Sequence, residues 1–106
     1  MAALHRMRCR PCDGMTPALR PEEVRDLLAQ IPDWRADGDR LVRTWKFRDF
    51  VEAMRFVNRM AALAEAEQHH PDFAVHYDRV EVRIWTHAVG GLSRNDFILA
   101  AKLDHL

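Results

Sequence analysis

Apolar residues along the chain recur with two different periods, and each switch of period marks a new element. In "PEEVRDLLAQI", Val24, Leu27, Leu28 and Ile31 fall at i, i+3, i+4 and i+7, one face of a helix. Pro21 and the two glutamates after it suit the first turn, and Pro32 is expected to end the helix. "RLVRTWKF" then alternates. Leu41, Trp45 and Phe47 share one face, interrupted by Arg43, while Val42, Thr44 and Lys46 take the other. "DGD" at 37–39 is a turn that can join this strand to a preceding one as a hairpin. From Asp49, a candidate cap with Glu52 as its capping-box partner, a helical stripe runs through Phe50, Ala53, Met54, Val57, Ala61 and Ala64, with Met60 beside it. At about 1.5 Å per residue this helix is roughly 28 Å long, and Pro71 is expected to stop it. "DFAVHY" reads as extended. "RVEVRIWTH" alternates strictly, Val80, Val82, Ile84 and Thr86 on the covered face. Gly90 and Gly91 form a turn, Ser93 caps a last helix with Asp96 at its third position, and Phe97, Ile98 and Ala101 face the core.

The predicted order is α-β-β-α-β-β-α, an α+β fold with helices on one face of a four-stranded antiparallel sheet. Residues 1–20, broken by Pro11, Gly14 and Pro17, read as a flexible tail, and 21–106 as a single domain. A chain of 106 residues can build a core without disulfides or metal. Sixteen Lys and Arg balance sixteen Asp and Glu, so no global field draws it to nucleic acid or anionic lipid. No apolar run is long enough to span a bilayer, and no signal-like apolar segment opens the sequence, so a cytoplasmic protein is expected. Cys9 and Cys12, in "CRPC", are half of a zinc site and lack the strand-to-helix setting of a redox pair; they are expected as reduced thiols in the tail.

The chemistry concentrates in "EQHHPDF" at 67–73. His69 and His70 fall at the negative end of the long helix, where a protonated imidazole is favoured. Glu65, four residues before His69, is expected to orient that ring. His87 closes the second strong strand; if the sheet folds back on the long helix, strand end and helix end share a pocket, within reach of Asp96. Neighbouring histidines diverge and no HExxH pair is present, so no metal site is expected. His5, His76 and His105 read as exposed, and Trp85 and Arg83 as an interface or pocket wall. No phosphate loop, nucleophilic cysteine or GxSxG elbow competes.

With "AEAEQHHPDF", a strand ending in Thr86-His87, and "GGLSRNDF", the sequence resembles the pterin-4a-carbinolamine dehydratases over about residues 34–103, including "FRDF" ahead of the long helix. The resemblance implies the same α+β fold and loss of water from 4a-hydroxytetrahydropterin to give quinonoid dihydropterin. It implies support of aromatic amino acid hydroxylases in tetrahydrobiopterin recycling, a homo-oligomer, and no metal or redox cofactor. The matching catalytic histidines are His69, His70 and His87, with Glu65 and Asp96 as supporting carboxylates. Members also act as dimerisation cofactors of a transcription factor, and degenerate relatives as assembly factors. The chain departs from the pattern at Ala88, where an acidic residue is frequent, at Trp85, where a small one is usual, and at Phe73.

Overall fold

Two hairpins and three helices account for the structure, a computed structural model that describes residues 3–11 and 17–106. Helix α1 (Pro21–Leu28) leads to strands β1 (Arg35–Asp37) and β2 (Arg40–Lys46), then the long helix α2 (Phe50–Glu67). Strands β3 (Asp72–His76) and β4 (Arg79–Ile84) follow, and helix α3 (Arg94–Asp104) ends the fold. The four strands are antiparallel in the order β1-β2-β4-β3, so β4 is central. Gly38, at φ +61°, makes the first tight turn, and Tyr77 takes the left-handed position, φ 56°, in the second. Among the described residues no helix is long and apolar enough to cross a membrane.

The alternation in β4 becomes one buried face. Val80, Val82 and Ile84 are fully covered and sit opposite Trp45, Arg43 and Leu41 of β2. Arg43 reaches past the core edge to Asp104 at 2.5 Å, and Asp104 also accepts the Trp34 indole N–H at 2.8 Å, so the charge that interrupts the face is neutralised at the end of α3. Helices α2 and α3 cover this face. Helix α3 is buried nearly all round from Asn95 to Ala101, because the sheet and α2 lie on one side and a single 3-10 turn, Leu4–Arg6, on the other. Residues 3–11 belong to the region read as a tail, and they pack against α3, with Leu4 in the core. Cys12 lies outside the described residues.

Four details differ from the sequence reading. Helix α1 stops at Leu28 rather than at Pro32. The N–H groups of Gln30 and Ile31 bond three residues back, a tightened turn that delivers Ile31 to the core. The stripe of α2 is Ala53, Phe56, Val57, Met60, Ala64 and Glu67, whereas Phe50 is 48% exposed and Ala61 faces solvent. Asp49 does cap α2 by accepting the Glu52 N–H at 2.9 Å, but the Glu52 carboxylate turns outward to Arg55 instead of closing a box. Finally, Gln68, at φ 54° and ψ 38°, ends α2 before the histidines, and the His69 N–H bonds Ala64 C=O at 3.2 Å in a Schellman-type stop.

Candidate active site

Asp96 anchors the site. As the third residue of α3 it accepts the Ser93 N–H at 2.8 Å, which ties the carboxylate to the start of its own helix. The Thr86 hydroxyl lies 2.9 Å from both carboxylate oxygens, and His69 Nε2 lies 2.6 Å from Oδ1. Asp96 has no solvent exposure. A carboxylate taken from water is tolerated only with such donors around it. Because Thr86 donates to Asp96, the Ser93 hydroxyl, 2.8 Å from Thr86 Oγ, must donate to Thr86. Every proton in this small network therefore points towards the carboxylate. His69, released from α2 by the left-handed Gln68, is itself nearly covered, with 12% of its side chain exposed.

The other two histidines are open to solvent. His70 Nε2 meets the Glu65 carboxylate at 2.5 Å. The sequence suggested that Glu65 orients His69, but Glu65 pairs with His70 instead, because the helix ends before both rings and the turn swings His69 inward to Asp96. His87 starts a 3-10 turn, His87–Val89, which Gly90 closes at φ 66°. Its ring lies 3.6 Å from that of Trp85, tilted by 45°. Trp85 in turn donates to Asp72 at 3.2 Å and carries the Arg40 guanidinium 4.4 Å over its ring. The pocket-wall reading of Trp85 is met here, while Arg83 stays on the outer sheet face, paired with Glu81 and Asp37.

His69, His70, His87, Trp85, Thr86 and Asn95 line one cleft of about 380 Å³. A larger hollow of about 710 Å³ opens beyond Asn95, beside Arg94 and Ile98, but none of its lining residues is a histidine, so the smaller cleft, with its three imidazoles, is the candidate site. Arg10 and Pro11 also line that cleft, with Gln68 and Ala88, and sequence reasoning missed Arg10 and Pro11 because they stand far from the histidines along the chain. Of the remaining histidines, His76 is exposed, but His5 is partly covered and stacks on His105 at 3.8 Å. Among the described residues, no three His, Cys, Asp or Glu side chains are grouped as a metal ion would require.

An α+β domain whose third helix presents a buried carboxylate to a histidine, at a cleft shared by two further histidines, defines the class. The model of the family "Pterin 4 alpha carbinolamine dehydratase" matches residues 17–106, and the chain belongs to that family. Relatives named for pterin-4-alpha-carbinolamine dehydratase include one from Stenotrophomonas maltophilia, 49% identical, with 97% of this chain and 90% of the relative covered. One from Dechloromonas aromatica is 48% identical over 93% of this chain and 88% of its own. One from Rubrobacter xylanophilus is 43% identical over the full length of both, 100% of each. Among solved structures, the "transcriptional coactivator/pterin dehydratase" from Brucella melitensis superposes with a TM-score of 0.80 at 30% identity, covering 83% of this chain and 96% of that one.

Proposed function

We propose that this chain dehydrates a 4a-hydroxytetrahydropterin to the quinonoid dihydropterin by general acid–base catalysis from His69 and His87. The observation that carries this reading is the buried Asp96–His69 pair, 2.6 Å long, at a cleft that also holds His70 and His87. An ionised carboxylate only accepts, so His69 Nε2 holds a proton and Nδ1 is the nitrogen available for transfer. Neutral His69 takes the proton from the substrate N5, and Asp96 stabilises the imidazolium that forms. The N–H electron pair becomes the C4a=N5 bond as the C4a–O bond breaks. His87 delivers a proton to the departing oxygen, which leaves as water. One proton is taken from nitrogen and one given to oxygen, so water is lost with no change of oxidation state. Such help contributes about 10²–10⁴-fold to the rate. His70, steadied by Glu65, holds the substrate rather than moving its protons.

In this reading the enzyme is a cytoplasmic homo-oligomer that serves tetrahydrobiopterin recycling beside an aromatic amino acid hydroxylase. A second reading, a binding role such as a dimerisation cofactor, is favoured by one observation: the similar Brucella melitensis protein is named both "transcriptional coactivator" and "pterin dehydratase". The test is stopped-flow dehydration of 4a-hydroxytetrahydropterin by the purified chain. Acceleration over buffer, saturable in substrate, supports the enzyme. A rate equal to buffer transfers the function to the binding role.

A further inference from the structure

We infer that residues 8–11 are a docked strap that forms one wall of the pterin cleft and sets how tightly substrate is held. The inference rests on the proposed function for the identity of the substrate. The strap lies ahead of the family match, which begins at residue 17.

Two buried polar residues, Glu67 and Asn95, hold it. Glu67 occupies a core position in the stripe of α2, where the periodicity calls for an apolar side chain. Its carboxylate, 4% exposed, takes the Arg8 guanidinium at 2.7 Å on one oxygen and the Cys9 N–H at 2.9 Å on the other. Without such partners a buried carboxylate is strongly destabilising. Asn95, buried at the start of α3, accepts the Arg10 N–H at 2.9 Å and donates its amide to the Arg10 C=O. Its own backbone C=O lies 3.6 Å from Cys9 Sγ. One side-chain amide thereby pairs with both polar groups of a single strap residue, which fixes position and direction together.

The two anchors stand beside the proton-handling pair. Glu67 is two residues before His69, and Asn95 immediately precedes Asp96. The strap spans these two positions and delivers Arg10 and Pro11 to the cleft that His69, His70 and His87 line. Cys9 within it is no nucleophile: burial, with the neighbouring Glu67 charge, pushes its thiol up to about 12. The strap binds and encloses; it moves no proton. Its loss should therefore appear in substrate retention and not in the chemical step.

The test uses full-length Glu67→Ala, Glu67→Gln and Arg8→Ala with three readouts: kcat and KM for the carbinolamine, Kd for 7,8-dihydrobiopterin, and hydrogen exchange at the Cys9 and Arg10 amides. In Glu67→Ala, those amides should exchange faster, and KM and Kd should rise about five- to tenfold with kcat within about twofold, the signature of lost binding common to ground and transition states. Glu67→Gln keeps an acceptor for the Cys9 N–H and should recover part of the loss. Arg8→Ala, altering an exposed side chain, guards against misfolding and should shift KM in the same direction. In the parent, 7,8-dihydrobiopterin should slow exchange at both amides. Freely exchanging amides with unchanged KM and Kd would overturn the inference, as would a fall in kcat as large as that in kcat/KM. If the parent shows no turnover, the proposed dehydration fails alone, and the strap is judged by Kd and exchange.

Discussion

Asp96 meets three donors at once, from Ser93, Thr86 and His69, and an amide cannot replace it. In Asp96→Asn the new NH₂ must face either the Ser93 N–H or His69. Facing His69, it forces the ring to accept at Nε2 and to carry its proton at Nδ1, the wrong tautomer for a base. The variant should lose about 1–3 kcal/mol of stability through a clash of donors and kcat by about 10²-fold or more. Denaturant unfolding beside steady-state kinetics measures both. A folded Asp96→Asn with parental kcat would remove Asp96 from the proposed chemistry. His70, exposed and paired with exposed Glu65, carries a different expectation. His70→Ala should raise KM more than it lowers kcat. That the three histidines and Asp96 lie close together was legible from spacing and family pattern. The pairing was not. Glu65 sits at helical distance from His69, but that geometry ends where Gln68 turns left-handed, and no periodicity foretells a left-handed glutamine.

Strands and hairpins came through the sequence well, because alternation such as Val80, Val82, Ile84 admits only one buried face. Helix α2 shows where periodicity loses resolution. Its apolar residues are dense enough to support two stripes one position apart, and the choice between them is made by what lies opposite. Phe56 meets the rings of Trp45 and Phe47, at 4.7 and 5.2 Å, which draws it into the core and leaves Phe50 outside. Phe56→Ala should therefore cost about 3–5 kcal/mol, and Phe50→Ala no more than about 0.5 kcal/mol. Urea unfolding of both variants checks this; equal costs would return the helix to the stripe that the sequence suggested. Buried Glu67 in that stripe was illegible for a related reason. Its partners come from residues 8 and 9, and long-range pairs leave no periodic trace.

Docking of the N-terminal segment on the rest of the chain depends on pH through two groups with depressed pKa values. His5 is held below its ordinary 6.5 by partial burial, then by His105, Arg6 and Lys102 around it. Burial alone would raise the Glu67 carboxyl above its ordinary 4.5, but the Cys9 N–H, Lys102 and Arg8 together bring it below. In both cases the unfolded or undocked chain binds the proton more readily, so stability rises with pH across the window. The His5 contribution is complete above 6.5 and is lost as pH falls through its lower folded value; the Glu67 contribution is lost likewise below 4.5. Amide resonances of Cys9 and Arg10, followed from neutral pH to about pH 3, should move towards undocked positions in that order before the core unfolds. Resonances that stay fixed until global unfolding would contradict this. Assembly is expected too: β1 and β3 are open sheet edges, and a symmetric dimer or tetramer should appear by light scattering at micromolar concentration. The most direct measurement remains kcat for dehydration of 4a-hydroxytetrahydropterin by the His69→Ala/His87→Ala double variant, with circular dichroism as the folding control. The account predicts a folded protein whose turnover falls close to the uncatalysed rate. A folded double variant that turns over like the parent would contradict it.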